Sequence, residues 1–382
     1  MKSILCSLVL AAAACMPAVA QTNATGGDVN FKGDVKGLKD SLIVLVPQDG
    51  RNYKRDTVLV KDGKFNFTVH VKEPVDIQAY TPGTFRGQER VGFQTIAVPG
   101  ENAEMTGDLT SNYYLSGSKF YQQFNEVDHM MEDARKPMQL FVDSLEQRLK
   151  AGESQESVMK VYQEKGDQLQ DIVYGKMLDF IKQHPDNEAC AYLVPQFRDI
   201  DKMKEAAALL SPTVRNGRMK NYYQRVIDEM EQRMKAEAEA AKKQAAGVQA
   251  PLFTLNDING KPLSLASLKG KYVVLDFWGS WCIWCIKGFP QMKEYYNKYK
   301  GKFQILGIDC NDTPEKWKDA VKKHELPWLH VYCPRDNRKL MEDYGIQGFP
   351  TKILIDPQGK IVKTVVGEDP AFYTLLDETF GK

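Results

Sequence analysis

Residues 276–285 read Asp-Phe-Trp-Gly-Ser-Trp-Cys-Ile-Trp-Cys, and no other stretch restricts the fold as much. The apolar run Tyr272–Phe277 has strand character, while Cys285–Lys300 has helical character. Two cysteines separated by two residues at such a junction are placed to close a disulfide across the first turn of a helix. Unpaired N–H groups and the positive end of the helix dipole stabilise a thiolate there. They lower a thiol pKa from its free value of about 8.5 towards neutrality. The second cysteine stands close enough to resolve a mixed disulfide formed by the first. Asp276 ends the strand, with its side chain expected to be buried. Burial raises a carboxyl pKa and suits Asp276 to take the proton that the second thiol releases.

Two other uses of the cysteine pair compete with this one. Zinc normally requires a further close Cys or His pair, and Cys310 and Cys333, 23 positions apart, do not supply one. No metal site is therefore expected. A purely structural disulfide fits poorly with flanking Trp281 and Trp284, with the strand-to-helix position and with an acid six residues upstream. Redox chemistry is the favoured reading, with Trp281 and Trp284 offering an apolar landing surface for extended or unfolded substrates. Cys310 and Cys333 each follow a strand-like run (Phe303–Asp309 and Leu329–Tyr332). They are candidates for a second, structural disulfide if those strands are adjacent and parallel.

The rest of the chain changes texture three times. Its 382 residues suggest two to four domains, and 43% hydrophobic residues are enough for packed cores. With 51 basic against 50 acidic groups, no nucleic-acid groove driven by net charge is expected. Residues 1–20 read as a signal peptide: Met1-Lys2 is positive, Ile4–Ala14 is apolar, and Ala18-Val19-Ala20 is a small-x-small cleavage site. The apolar run falls short of the ~20 residues of a spanning helix. Cys15 after Ala12-Ala13-Ala14 offers a lipoprotein alternative, disfavoured because Leu usually stands at the place of Ala12. Either route puts the working chain in the periplasm or cell envelope, where disulfides persist.

Residues 28–117 read as a small all-β domain, sandwich-like or an open barrel, from the runs Leu42–Val46, Thr57–Val60, Phe65–Val71, Val75–Tyr80 and Val91–Val98. Asp62-Gly63 lies between two of these runs and predicts a hairpin. His70, without a second His or Cys, reads as a surface residue. Residues 118–246 turn α-helical. An apolar stripe from Val158 to Ile181 stops at His184-Pro185, and Ser211-Pro212 reads as the start of a helix carrying Tyr222, Tyr223, Ile227 and Met234. The tail Lys235–Ala246 has high helix propensity and nothing to bury, which predicts an exposed spacer. Cys190 reads as a small apolar core residue. From 248 to 382, strands Tyr272–Phe277, Phe303–Ile308, Lys352–Ile355 and Ile361–Val365 alternate with helical segments, which predicts one α/β domain on a partly parallel sheet.

Trp281-Cys-Ile-Trp-Cys285, Asp276-Phe-Trp278 and Gly348-Phe-Pro-Thr351 resemble the thioredoxin superfamily. Ala250-Pro-Leu-Phe-Thr254, Leu263–Leu268 and Lys269-Gly-Lys271 are similar, more narrowly, to the TlpA/ResA-like periplasmic thiol-disulfide oxidoreductases. The first two regions resemble the uncharacterised β-domain and helical segment that often precede such modules in Gram-negative envelopes. The resemblance implies a thioredoxin-like fold with Cys282 as nucleophile and Cys285 as resolving thiol. It also implies that Pro350 is a cis-proline facing the dithiol, that Phe349 offers backbone groups to substrate, and that Pro290 kinks the active-site helix.

The departures are equally specific. Gly288 stands where such reductases usually carry glutamate. The lysine that accompanies the buried Asp in thioredoxin would fall near Ile305, which leaves Asp276 in a more apolar setting. Trp284 replaces the His of strongly oxidising relatives and cannot stabilise a thiolate by a charge-assisted bond. These features favour an envelope reductase of disulfide-containing proteins, recharged by an upstream thiol donor and without a cofactor. A disulfide isomerase, held as a homo-oligomer by the helical region, is the alternative. A peroxidase is disfavoured by Gly279, Ser280 and Trp281 upstream of the cysteine, and a non-enzymatic role, with the β-domain binding an envelope partner or glycan, is a further reading.

Overall fold

Alternation of apolar and polar side chains builds the first part of the chain. The structure is a computed structural model that describes residues 26–48 and 52–381; the leader-like segment and Cys15 lie outside them. β1 (Gly27–Lys36) buries Val29, Phe31 and Val35 and exposes the polar residues between them. It is followed by β2 (Ser41–Pro47), β3 (Tyr53–Leu59), β4 (Lys64–Val71) and β5 (Val75–Tyr80). A single helical turn, α1 (Pro82–Phe85), precedes β6 (Gly92–Ala97), β7 (Asn102–Asp108) and β8 (Tyr113–Gly117). The strands form two four-stranded sheets, ordered β4-β1-β7-β8 and β3-β2-β5-β6. Gly33 on β1 is required by its partner Phe65, whose ring comes within 2.1 Å of the place a Cβ would take.

The expected hairpin is not made. Asp62 and Gly63 do form a tight turn, with positive φ angles of 52° and 76° and paired Lys61 and Lys64. Beyond that pair the strands part: β3 joins β2 and β4 joins β1, in different sheets. The turn is a local preference, whereas the choice of partner follows burial. β4 carries Phe65, Val69 and Val71 into the core while β3 is largely exposed.

Helices follow as α2 (Lys119–Lys150), α3 (Gln155–Gln183), a 3-10 segment Glu188–Gln196, α4 (Ile200–Leu209), α5 (Pro212–Arg215) and α6 (Lys220–Lys243). α3 ends at its cap His184, as the His184-Pro185 signal predicted. Ser211 caps a helix as expected, its side chain accepting from Val214 N, but that helix is only the turn α5. The tyrosine-bearing helix α6 starts anew at Lys220, past Gly217, a poor helix former. Both sheets and these helices share one core. Tyr121 on α2 donates to Ile96 O at 2.8 Å, and Tyr222 on α6 donates to Asp76 Oδ1 at 2.9 Å. Cys190 is fully buried in that core, and burial pushes its thiol up to about 12. His70 is exposed beside Asp28.

The chain divides after Met230 into two compact units. The tail of α6 therefore belongs to the second, and it is less of a free spacer than its sequence suggested. Ala240 is buried against Gly345, and Gln244 Nε2 donates to Tyr344 O and Gly345 O at 3.0 and 2.9 Å. A small ribbon, β9 (Thr254–Asn256) and β10 (Pro262–Ser264), leads into β11 (Tyr272–Trp278). Then come α7 (Ile283–Lys298), β12 (Phe303–Cys310), α8 (Pro314–Lys323), β13 (Leu329–Cys333), α9 (Arg338–Asp343), β14 (Thr351–Ile355), β15 (Ile361–Val366) and α10 (Ala371–Phe380). The sheet order is β13-β12-β11-β14-β15, with β11, β12 and β13 parallel and β14 and β15 antiparallel. One face of the sheet packs on α7, α8 and α10 through Phe289, Trp317 and Phe372. The other packs on α9 and the segment before β11 through Leu340, Tyr344 and Leu265.

Candidate functional site

β11 delivers the chain to the end of the sheet, and shortly beyond it α7 begins with Cys282 as its N-cap. The Cys282 sulfur accepts from Cys285 N at 3.2 Å, a bond that satisfies one of the open N–H groups of the first turn. Cys282 and Cys285 form a disulfide, with Cα atoms 5.3 Å apart. Both are largely enclosed in this oxidised state, at 6% and 2% exposure. The surface around them is apolar: Trp281, Ile283 and Trp284 are 50%, 66% and 61% exposed. Lys287 lies over the Trp284 ring at 4.5 Å. Trp281 packs edge-on against Phe349, with ring centroids 5.2 Å apart, and its Nε1 donates to Cys310 O at 3.0 Å. The Phe349–Pro350 bond is cis.

The loop between β11 and α7 is pinned by a residue that no local sequence signal singled out. Asp312 is buried, accepting from Ser280 N at 2.6 Å and from Ser280 Oγ at 2.8 Å. Tyr332 donates to the carbonyl of Asp312 at 2.9 Å and so holds it from β13.

Asp276 is 1% exposed on the sheet face that α7 covers, and its Oδ1 has no hydrogen-bond partner among the described residues. Burial pushes its carboxyl up to about 6; Lys352 pulls against this, and Glu368 adds to the rise. The expectation of a more apolar setting, drawn from Ile305, is corrected here. A lysine is present, but β14 supplies it: Lys352 is the register partner of Asp276 and is itself 1% exposed. Its ammonium meets Glu368 Oε2 at 2.7 Å, and Tyr373 donates to Glu368 Oε1 at 2.7 Å. One sequence signal for this cluster was available, namely a lysine in an apolar strand run two positions after Pro350.

Cys310 and Cys333 are register partners on the adjacent parallel strands β12 and β13, and both are buried. They carry free thiols, so the second disulfide that their spacing allowed is not formed in this structure. The hydrogen bond with Cys333 and burial both raise the Cys310 thiol. Among the described residues no group of three or more His, Cys, Asp or Glu is placed to hold a metal ion.

A disulfide closed across two intervening residues at the mouth of a helix, on a sheet of this order, defines the class: a thioredoxin-like thiol–disulfide oxidoreductase. A thioredoxin-like family profile matches residues 270–361. The thiol-disulfide oxidoreductase ResA of Bacillus anthracis is 39% identical over 127 residues, 33% of this chain and 72% of that protein. ResA of Bacillus subtilis (strain 168) is 36% identical over 122 residues, 32% of this chain and 67% of that protein. Among solved structures, the thioredoxin domain of a Bacteroides vulgatus thiol-disulfide oxidoreductase is 36% identical. The match covers 36% of this chain and 98% of that one, with a TM-score of 0.34. The chain belongs to the TlpA/ResA-like thiol-disulfide oxidoreductases, by virtue of its second unit.

Proposed function

We propose that this chain reduces disulfides in envelope proteins, with Cys282 as the attacking sulfur, Cys285 as the resolving one and Asp276 as the proton acceptor. The observation that carries this reading is the Cys282–Cys285 disulfide at the helix mouth, flanked by exposed Trp281 and Trp284. Reduced Cys282 attacks a substrate disulfide, which breaks as one substrate thiolate leaves. Cys285 then attacks Cys282, the observed disulfide forms, and the second substrate thiolate departs. Two electrons pass to the substrate, and an upstream thiol donor restores the dithiol. The apolar rim formed by Trp281, Trp284 and Phe349 suits extended chain segments, and the backbone beside Pro350 offers hydrogen-bonding groups to them. The leader-like residues 1–20 support work outside the cytoplasm, where substrates with disulfides persist.

The assignment of roles is tested by trapping. Cys285→Ala is expected to accumulate mixed disulfides with insulin on non-reducing gels, whereas Cys282→Ala accumulates none; equal trapping by both contradicts the assignment. The direction is tested by the reduction potential. Trp284 provides no cation beside the thiolate, so a value near that of thioredoxin, about −270 mV, is expected. A value near about −120 mV marks an oxidant and overturns the reductase reading.

A further inference from the structure

The ion pair on the α7-covered face of the sheet is more elaborate than exchange between two sulfurs requires. Lys352 is 1% exposed and Glu368 17%, so the pair is withdrawn from water and must be closed by its own partners. Both Glu368 oxygens are engaged, one by Lys352 and one by Tyr373. The carboxylate lies against α7: a Cβ on Gly288 would stand 2.2 Å from Glu368 Oε2. Gly288 follows Cys285 by three residues, and positions so spaced share a helix face. The absence of a side chain at Gly288 thus leaves the space that Glu368, from the turn before α10, fills. On the neighbouring strand Asp276 faces the same lysine in register, yet its Oδ1 makes no hydrogen bond among the described residues. Two carboxylates share one ammonium, and Glu368 has taken the direct contact.

We propose that Glu368 is a positioning residue of the dithiol centre: by engaging the Lys352 ammonium it withholds that charge from Asp276, so that Asp276 can take up the proton that Cys285 releases and pass it on. The inference rests on the role of Asp276 proposed above. In the resolving step the Cys285 S–H bond breaks, the Cys282–Cys285 bond forms and the Cys282–substrate bond breaks. Asp276 holds the proton until the departing substrate thiolate receives it.

Other titratable groups near Asp276 leave this pair in control. From β12, Asp309 lies on the same face with burial pushing its carboxyl up to about 9, so it is neutral at pH 7. From β13, burial holds His330 down to about 4, so it too is neutral. From α10, burial raises the Tyr373 hydroxyl, and the bond it donates to Glu368 raises it further. From α7 come the two cysteines. The charges that act on Asp276 are those of Lys352, which lowers its carboxyl pKa, and Glu368, which raises it.

The test is a carbon-13 titration of the Asp276 carboxyl in the full-length oxidised protein, which reads the electrostatics without requiring turnover. The wild-type inflection is expected at about 6. Glu368→Gln is expected to move it down by about one unit or more, Lys352→Met to move it up, and the double variant to fall between. Glu368→Asp is expected to restore most of the wild-type value. The acid limb of the insulin-reduction rate is expected to follow these shifts. An inflection unmoved in Glu368→Gln, or moved the same way in both single variants, overturns the proposal. If Lys352→Met does not fold, the contrast between Glu368→Gln and Glu368→Asp decides alone: equal titrations overturn the proposal, and a recovered inflection supports it. An undiminished rate in Asp276→Asn removes the proton-transfer role on which the inference rests, whereas the titration separately decides whether Glu368 governs Asp276.

Discussion

Asp276, the proposed proton acceptor, also bears on the stability of the fold. Its carboxyl sits at about 6 in the fold against 3.8 for the free group, with burial as the main cause. The folded chain therefore binds the proton more tightly than the unfolded chain. The stabilisation this confers is complete below about pH 4 and is lost as pH rises through about 6. Asp276→Asn, which stays neutral, is expected to gain about 2–3 kcal/mol relative to wild type between about pH 4 and about pH 8, read by denaturant unfolding of the oxidised protein at several pH values. A parallel pH dependence in the two proteins would mean that Asp276 titrates alike in the folded and unfolded chains, so that burial does not raise its carboxyl. If Asp276 takes the proton as proposed, its replacement is expected both to slow turnover and to stabilise the protein, as is common where a buried ionisable group serves function.

At the level of elements, the active-site loop is held more by its surroundings than by its own sequence. Gly279, Ser280 and Trp281 bridge β11 and α7, and Asp312 binds Ser280 through both carboxylate oxygens. Asp312→Ala removes both acceptors from a buried setting and is expected to cost about 1–3 kcal/mol in urea unfolding. Asp312→Asn retains an acceptor and should cost less. A similar logic governs α7 and Gly288. Gly288→Ala adds a Cβ where the Glu368 carboxylate now lies, so the carboxylate must shift, which is expected to weaken its contact with Lys352. That single methyl is expected to lower the Asp276 inflection in the same direction as Glu368→Gln, a result visible in the same titration.

Across the whole chain, the residues that build the redox site and its two flanking cores all fall within the second unit. A fragment spanning 231–382 retains those cores and is expected to fold alone and to reduce insulin at a rate within about twofold of the full chain. Calorimetry of the full chain is expected to show two transitions, since separate cores unfold separately. Only the upper or lower of them should move when the Cys282–Cys285 disulfide is reduced. A single transition, or an unfolded fragment, would show that the units depend on each other.

Much of the site could be read before any coordinates, and the reason is its locality. Cys282 and Cys285 are three residues apart, the N-cap geometry belongs to one helical turn, and Trp281 and Trp284 flank it; such relations survive in any fold that keeps the strand and the helix. The alternation of strands and helices after residue 248 was readable on the same grounds, from side-chain periods of about two and about 3.6. Pairing between distant segments carries no such local trace. The strong Asp62-Gly63 turn did not reveal that β3 and β4 would enter different sheets, because partners are chosen by which faces become buried. Nor did an apolar Ile305 reveal that Lys352 would reach the same acid from β14, or that Glu368 would fill the space at Gly288. Asp276, Gly288, Lys352, Glu368 and Tyr373 meet only after the sheet has assembled, and there the loss of water makes the charges of Asp276, Lys352 and Glu368 count.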